Sequence, residues 1–266
     1  MDLLTARSAR VKDARQLLVG KHRRARREFL VEGPQAVREA LAGGSVIELF
    51  VQQDDSGRRA DEIGAARAAG VPIHLLDHAG FRGLVTAQTP QGVVARCRWE
   101  PPRLAEVLSG EGPGQIAVAH EMADPGNAGA LIRVADAAGA RAVALSDRSV
   151  DPTNPKCVRA SAGSLFHLPV VPAGSTLAII EGLRAAGYRV LAADVTADSV
   201  DLFAAEAAGL LAGRIAWVFG NEAHGLPAEV VGAVDHTVRI PILGRAESLN
   251  LATAAAVCLY SYARLG

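Results

Sequence analysis

The sequence beyond residue 100 alternates short apolar runs with segments of helical periodicity, and this alternation limits the fold more than any other feature. The predicted strands are Gln115–His120, Ala142–Ser146, Val190–Ala193, Ile215–Phe219 and Val238–Ile242. The predicted helices are Leu104–Leu108, Asn127–Ala138, Pro155–Ala162, Thr176–Ala186, Pro227–Val234 and Leu249–Arg264. Continuously apolar strands are typical of a parallel sheet covered by helices on both faces. We therefore predict an α/β fold for this part of the chain.

A second, shorter alternation precedes it. Strands are predicted at Phe29–Gly33, Val46–Val51, Pro72–Leu76 and Gly92–Cys97, and helices at Ser8–Gly20, Pro34–Leu41, Arg58–Ala69 and Phe81–Val85. The adjacent prolines Pro101 and Pro102 mark the best linker. With 266 residues available, two domains are expected, a small α/β domain at 1–100 and a larger one at 101–266.

The distribution of charge is uneven although the formal net charge is zero. Residues 1–28 contain nine Lys or Arg but only three Asp or Glu, so a basic segment precedes an acidic body. This asymmetry favours a polyanionic partner. The stretch 21–27 has no apolar periodicity, and it is either a solvated, mobile turn or a phosphate-binding arm that contains Arg23, Arg24, Arg26 and Arg27.

Cysteine spacing and hydropathy exclude several classes of protein. Cys97, Cys157 and Cys258 form no CxxC pair, so neither a disulfide framework nor a metal site is expected. The sequence has no signal peptide and no apolar run of about 18 residues. We therefore expect a cytoplasmic protein without a membrane partner.

A strand end, a turn and a helix follow one another at residues 120–135. Asn127 is either the N-cap of this helix or a functional residue, and Gly129 in the first turn permits a close approach. Arg133 lies among apolar residues, where it either pairs with Asp136 or binds an anion or a ribose. The GxGxxG and P-loop motifs are both absent, which excludes the usual nucleotide cradles and argues against an NAD-linked enzyme.

Two polar loops follow the predicted strands nearest the C-terminus. Glu222 lies between Gly220 and Gly225, and Ser248 and Asn250 precede the final helix. Glu222 could simply charge the start of a helix, and Ser248 could simply cap one. Loops at the carboxyl ends of parallel strands form ligand sites, so we expect the two loops to share a pocket.

A mixed basic and polar segment covers residues 151–169. Lys156 and Arg159 lie either on the solvated side of a helix begun by Pro155 or along an RNA channel. Their spacing alone does not decide between these interpretations.

Three of these stretches resemble, in order, the motifs of the SpoU (TrmH) family of ribose 2′-O-methyltransferases in the SPOUT superfamily. They are Asp124-Pro-x-Asn127-x-Gly129-(x)3-Arg133, Gly220-Asn-Glu222-(x)2-Gly225-Leu and Ile240-Pro-(x)2-Gly244-(x)2-Glu247-Ser-Leu-Asn250. The segment from Lys156 to Gly163 also fits the family, and Phe29-Leu-Val-Glu-Gly resembles the small substrate-binding domain of many members. The resemblance implies a C-terminal SPOUT α/β domain with a deep trefoil knot and a small N-terminal α/β RNA-binding domain.

The resemblance also implies a cofactor and roles for individual residues. S-adenosyl-L-methionine would be bound by Gly220, Glu222, Gly225, Ile240, Leu243, Ser248 and Leu249. The catalytic residues would be Arg133, Asn127, Glu222, Ser248 and Asn250. In related enzymes the arginine is the proposed general base, but a guanidinium does not readily give up a proton. A phosphate-bound Arg133 that orients the ribose is the alternative.

The implied partners are RNA and a second copy of the chain. Arg23, Arg24, Arg26, Arg27, Lys156 and Arg159 are the candidate RNA contacts. SpoU-type enzymes are homodimers, and the helix Leu249–Arg264 is apolar nearly all round, so it must be buried. Ribosomal RNA is the expected substrate, for housekeeping or antibiotic resistance. A tRNA methyltransferase and a non-catalytic RNA-binding or assembly protein are the alternatives.

Overall fold

A computed structural model of the chain describes residues 3–196, 198–221 and 223–265. Its strands are β1 (Glu28–Glu32), β2 (Val46–Gln52), β3 (Ile73–Leu76), β4 (Val93–Arg98), β5 (Gly114–Ala119), β6 (Ala142–Leu145), β7 (Val170–Pro172), β8 (Arg189–Ala193), β9 (Val200–Asp201), β10 (Arg214–Phe219) and β11 (His236–Arg239). Strands and helices alternate along the chain, so the predicted α/β class is confirmed.

The helices are mostly short. They are α1 (Ala9–Arg15), α2 (Gly20–Arg26), α3 (Pro34–Ala42), α4 (Ala60–Ala68), α5 (His78–Arg82), α6 (Leu104–Leu108), α7 (Pro125–Ala137), α8 (Pro155–Ser161), α9 (Thr176–Ala185), α10 (Leu202–Ala207), α11 (Ala228–Val231) and α12 (Leu251–Ala263). Across the described ranges, no helix combines the length and apolar character needed to cross a membrane.

The chain divides into two compact units. The first contains the residues up to Glu100 together with Asp151–His167, and the second contains Pro101–Val150 together with the chain from Leu168 onward. The first unit thus includes a segment that the sequence analysis assigns to the 101–266 domain.

The first unit is built on a four-stranded sheet of order β1-β4-β2-β3. β4 runs antiparallel to β1 and β2, whereas β2 and β3 are parallel and are connected through α4. Val11, Leu17, Phe50 and Phe81 are fully or almost fully buried in one cluster of its core. Apolar side chains of the N-terminal helical segment therefore pack with the sheet.

The N-terminal helical segment differs from its prediction. Instead of one helix ended by Gly20, α1 is followed by a 3-10 turn at Gln16–Leu18, and Gly20 begins α2. The stretch 21–27, for which a mobile turn was one interpretation, is helical up to Arg26 and ends with Arg27 in the left-handed conformation (φ 53°). The physical reason is tertiary structure, because Arg23 of this helix is buried and its guanidinium donates hydrogen bonds to Asp151 and to the carbonyl oxygens of Leu17 and Leu18.

A charged network links α1 to the sheet. The buried carboxylate of Glu48 accepts hydrogen bonds from Arg10 (2.6 Å) and Arg96 (3.1 Å). Arg96 also pairs with Asp13 (3.0 Å) and Glu28 (2.5 Å). A buried carboxylate persists only when it is paired in this way. The network therefore connects α1 with β1, β2 and β4.

The segment Asp151–His167 packs within the first unit through aromatic and small residues. The ring of Phe166 stacks on that of Phe29, with 6.1 Å between centroids. Gly163 has a φ of +103°, and a Cβ there would lie 2.7 Å from Cγ of Glu39. Only glycine fits this backbone conformation and this close approach.

The second unit is built on a sheet that has, among the described residues, seven strands of order β7-β6-β5-β10-β8-β11-β9. Every pair in it is parallel. The five predicted strands are present, whereas β7, β9 and α10 were not predicted. β7 and β9 are very short edge strands, which apolar periodicity does not distinguish from loops.

The final helix is buried on one face only. Ala255, Cys258, Leu259 and Ser261 are buried, whereas Tyr260 is half exposed. The helix packs mainly on α7. The other face of α12 has no covering element among the described residues of this single chain, so its burial against a second copy stays a prediction.

Candidate functional site

A cavity of about 390 Å³ lies at the carboxyl ends of β8, β10 and β11 in the second unit. It brings together residues predicted from separate motifs, which are Asn127, Gly220, Gly225, Ile240, Ser248, Leu249 and Asn250. Asn127 and Asn250, which are more than 100 positions apart in the sequence, thus line the same pocket. This is the position that parallel sheets favour for ligands.

The Gly-flanked loop after β10 brings its backbone close to itself. A Cβ on Gly220 would lie 2.7 Å from the carbonyl carbon of Gly225. The loop is closed by two main-chain bonds, from Asn221 N to Gly225 O (3.0 Å) and from Gly225 N to Asn221 O (2.9 Å). Gly225 has a φ of +65°, which favours glycine. Glu222, predicted to bind the cofactor and act in catalysis, lies outside the described residues.

Asn221 ties this loop to the neighbouring strand. Its Nδ2 donates to the carbonyl oxygen of Glu121 (2.7 Å), and its Oδ1 accepts from the N–H of Ala223 (2.9 Å). Glu121 follows the end of β5 and has a φ of +44°, which is uncommon for a residue with a side chain. Asn221 is not among the predicted site residues, although an amide between two loop glycines was an available signal.

The cap of α7 is Asp124, not Asn127. The carboxylate of Asp124 accepts from the N–H of Asn127 (2.8 Å). The interpretation of Asn127 as the N-cap is therefore wrong, because Asp124 already occupies the capping position. The Oδ1 of Asn127 instead accepts from Nδ2 of Asn250 (3.1 Å).

Asn250 has two structural partners. Besides donating to Asn127, it caps α12, because its Oδ1 accepts from the N–H groups of Ala252 (3.0 Å) and Thr253 (3.4 Å). The interpretation of Ser248 as the cap of this helix is therefore wrong. The exposed Ser248 lines the cavity instead.

Two predicted site residues lie away from the cavity. Leu243 is 93% exposed, and the neighbouring Ile242 lines the pocket in its place. Arg133 is exposed on α7 and does not line the cavity. It follows Asn127 by six residues, which places the two side chains roughly 120° apart around the helix. Arg133 therefore points elsewhere than the pocket of its own chain.

One candidate RNA contact is wrong. Arg23 is only 5% exposed, and its guanidinium donates to Asp151 (2.9 Å), to Thr153 (3.2 Å) and to the carbonyl oxygens of Leu17 and Leu18. With its donors engaged inside the first unit, Arg23 cannot bind a phosphate.

The other candidate RNA contacts differ in accessibility. Arg24 and Arg27 are exposed, and Lys156 is exposed on α8. Arg26 pairs with Asp13 (2.9 Å) and is half-buried. Arg159 pairs with Glu32 and donates to the hydroxyl of Thr86. The accessible positive charge of this set therefore lies on Arg24, Arg27 and Lys156.

A buried histidine adjoins the end of β5. Nδ1 of His120 lies 2.7 Å from Oγ1 of Thr176, and the main-chain N–H of His120 donates to the carbonyl oxygen of Phe219. Burial lowers the pKa of His120 below its usual 6.5, and the nearby charge of Arg148 lowers it further, against the opposing effect of Glu121. The ring is therefore neutral in the folded chain near neutral pH.

Both parts of the chain match known protein families. Residues 115–260 match the SpoU rRNA methylase family, and residues 8–95 match the MRM3-like substrate-binding domain. Among curated proteins, a 23S rRNA (guanosine-2′-O)-methyltransferase of Bacillus subtilis, RlmP, is 31% identical over 96% of each chain. The RlmB 23S rRNA (guanosine-2′-O-)-methyltransferase of Ralstonia nicotianae is 36% identical over 83% of this chain and 88% of its own.

Solved structures agree over nearly the full length. The AdoMet-bound rRNA methyltransferase of Sinorhizobium meliloti superposes with a TM-score of 0.85 at 32% identity, covering 99% of this chain and 98% of its own. The SpoU methyltransferase AviRb of Streptomyces viridochromogenes, in complex with AdoMet, superposes with a TM-score of 0.82 at 29% identity, covering 97% and 98%. The likeness therefore covers both units of the chain.

Proposed function

The chain belongs to the SpoU rRNA methylase family, and we propose that the cavity of its second unit is where a ribose of ribosomal RNA receives a methyl group. The protein is an S-adenosylmethionine-dependent RNA ribose 2′-O-methyltransferase with a SPOUT fold. The observation that carries the assignment of the site is the convergence of three sequence motifs on one pocket.

Because ribosomal RNA is the substrate, we place the protein in the cytoplasm.

The lining of the cavity fits the cofactor. The close approach of Gly220 and Gly225 leaves main-chain groups accessible to a ligand where a side chain would block them. Ile240, Ile242 and Leu249 supply apolar surface for adenine. When bound, the cofactor supplies an electrophilic methyl group on its sulfonium.

The chemistry demands an oriented hydroxyl. A ribose 2′-hydroxyl is a poor nucleophile, and its oxygen must approach the methyl carbon in line with the carbon–sulfur bond that breaks. As the new oxygen–carbon bond forms, the hydroxyl proton would pass to solvent, and S-adenosylhomocysteine would leave with the electron pair of the broken carbon–sulfur bond. The linked amides of Asn127 and Asn250, with the hydroxyl of Ser248, lie beside the cavity and can hold the ribose in this position.

Arg133 and the exposed face of α12 suggest a second subunit. We propose that the chain is a homodimer and that Arg133 completes the pocket of the partner copy, because it is exposed and does not line its own pocket. There it would hold a phosphate of the RNA and orient the ribose. The half-exposed Tyr260 and the neighbouring alanines of α12 offer an apolar face for such an interface.

Recognition of RNA is assigned to the first unit. We propose that Arg24, Arg27 and Lys156 bind phosphates, since they are exposed cations on the first unit. Arg24 and Arg27 lie in the part of this unit that matches a substrate-binding domain, whereas Lys156 lies in the range that matches the SpoU methylase family. Arg159 would also bind phosphate, from the position in which its ion pair with Glu32 holds it. Phosphate contacts position the RNA and do not select its sequence.

The direct test is methyl transfer from tritiated S-adenosylmethionine to ribosomal RNA, with mapping of the modified ribose. The wild-type protein should label one or a few 2′-hydroxyls, and Arg133→Ala should reduce transfer at least 100-fold, on the order expected for loss of orientation. Binding of S-adenosylhomocysteine should remain, because Arg133 does not line its own pocket. Full transfer by Arg133→Ala would remove this residue from the mechanism.

A further inference from the structure

One acidic side chain in the cavity belongs to none of the sequence motifs. Asp194 follows β8 directly and lines the pocket beside Phe219 and Val238. Of the described residues that line the cavity, Asp194 and Glu247 are the only acids. Glu247 lies on the exposed loop before α12, whereas Asp194 lies at the sheet itself.

The main chain fixes Asp194 between two strand ends. Its N–H donates to the carbonyl oxygen of Val238 (3.1 Å), which joins the ends of β8 and β11. Its Oδ1 accepts from the N–H of Val195 (2.7 Å), so the carboxylate has a set orientation. In the described part of the chain, no side chain donates a hydrogen bond to this carboxylate. A half-buried acceptor that is oriented in this way is ready for a ligand donor.

The location of Asp194 in the sheet determines which part of the cofactor its carboxylate can contact. β8 is separated from β5 by β10, and neighbouring strands lie about 4.8 Å apart, so the ends of β5 and β8 are roughly 10 Å apart. Asn127, which marks the reaction end of the pocket, belongs to the helix after β5. Asp194 is therefore too far from the reaction end to contact the transferred methyl group.

The neighbours of Asp194 indicate the nucleoside end of the cofactor. Phe219, Val238 and Ile240 are apolar lining residues from the flanking strand ends β10 and β11, where adenine would be buried. The group joined directly to adenine is a ribose with two adjacent hydroxyls. Two such hydroxyls can donate to one carboxylate, which gives short, charge-assisted hydrogen bonds.

We infer that Asp194 accepts hydrogen bonds from the 2′- and 3′-hydroxyls of the ribose of S-adenosylmethionine, and thereby selects a ribonucleoside cofactor. This role goes beyond the methyl transfer and concerns recognition of the cofactor alone. It predicts that each hydroxyl contributes to binding only while the carboxylate is present.

The test measures equilibrium binding by calorimetry, not turnover. The ligands are S-adenosylhomocysteine, its 2′-deoxy and 3′-deoxy analogues, and 5′-methylthioadenosine, which keeps the ribose but lacks the amino-acid chain. The wild-type protein should bind the deoxy analogues about 10-fold to 100-fold more weakly than S-adenosylhomocysteine, the range for hydrogen bonds to a charged group. In Asp194→Asn and Asp194→Ala, this preference should shrink to less than about 3-fold.

A matched control lies on the same loop. Asp198 is exposed and does not line the cavity, so Asp198→Asn makes the same change of charge and should keep the wild-type preference. Loss of affinity for 5′-methylthioadenosine in Asp194→Asn supports the ribose contact. If Asp194→Asn weakens S-adenosylhomocysteine but not 5′-methylthioadenosine, the carboxylate binds the amino-acid chain and the inference is overturned.

The wild-type protein alone also decides the question. Should it bind the deoxy analogues as tightly as S-adenosylhomocysteine, the ribose contact does not exist, whether or not the variants fold. Failure of the inference leaves methyl transfer untouched, because S-adenosylhomocysteine would still bind and tritium would still reach the RNA.

Discussion

At the scale of single residues, the pocket depends on positions where no side chain fits. Gly220 approaches the backbone of Gly225 so closely that a methyl group there would meet main-chain atoms, which cannot rotate away. Asn221 then ties the loop to the carbonyl of Glu121. These contacts hold the loop that lines the cavity in one conformation, as preorganisation of a binding site requires.

Replacing Gly220 should weaken cofactor binding and also lower the stability of the fold. We expect Gly220→Ala to weaken binding of S-adenosylhomocysteine at least 10-fold, because relief of the 2.7 Å contact must move the loop, and to cost about 1–3 kcal/mol of stability. Isothermal titration and thermal unfolding measure the two effects. Gly174→Ala is the control, since a Cβ at that position would have open space around it. Equal affinity in both variants would contradict the assigned role of the loop.

His120 should make the second unit sensitive to acid. Burial lowers its folded-state pKa below 6.5, so unfolding takes up a proton as the pH falls through and below that value. Stability is therefore complete above about pH 6.5 and declines below it. We expect His120→Asn, which keeps a polar partner for Thr176 but cannot titrate, to flatten the dependence of the unfolding midpoint on pH between about 5 and 7. An unchanged slope would show that other groups determine it.

At the scale of elements, basic residues on one short helix serve different purposes. On α2, Arg23 is buried against Asp151 and Thr153, whereas Arg24 is exposed. The sequence indicated a cluster of arginines but not which of them faced inward, because partners at positions 151 and 153 are distant in sequence. Burial of a charge depends on such tertiary contacts, and periodicity does not report them.

These two arginines give a matched pair of variants. We expect Arg23→Met to destabilise the first unit by about 3 kcal/mol, because it leaves the carboxylate of Asp151 without its cation. Arg24→Ala should leave stability unchanged but reduce the salt dependence of RNA binding by about one phosphate contact. Chemical denaturation and binding at several salt concentrations measure the two effects. If Arg24→Ala leaves the salt dependence unchanged, Arg24 has no part in binding RNA.

The strands that hold the site were predicted more reliably than its details. Long apolar runs such as those of β5 and β10 form buried strands whatever their tertiary neighbours are, so the positions of these strands follow from the sequence. The capping residues did not follow, because each true cap lies only two or three residues from the residue predicted to cap the helix: Asp124 from Asn127, and Asn250 from Ser248. Whether Arg133 lines the cavity depends on which face of α7 is turned toward it in the folded unit. The spacing of residues in the motif does not specify that face.

At the scale of the whole molecule, the proposed dimer would make each active site composite. Co-expression of Arg133→Ala with Gly220→Ala chains should then give mixed dimers whose activity exceeds that of either variant alone, when it is assayed at a cofactor concentration too low to fill the weakened Gly220→Ala pocket. A mixed dimer contains one pocket with an intact Gly220 loop that faces an intact Arg133. With random pairing, roughly a quarter of wild-type activity is expected, since half of the dimers are mixed and each has one complete site. Purification through two different tags isolates the mixed dimers, and absence of activity in them would rule out sharing of Arg133.

The placement of Asp151–His167 limits how this protein can be rearranged. The chain passes between its two compact units at residue 100, again at residue 150, and once more at residue 167. A truncation at residue 101 would therefore remove the ring of Phe29 from beneath Phe166 and the cation of Arg23 from Asp151. A chimaera that exchanges the first unit between relatives must carry residues 151–167 along with the N-terminal part. The first unit is a unit of structure but not a continuous unit of sequence.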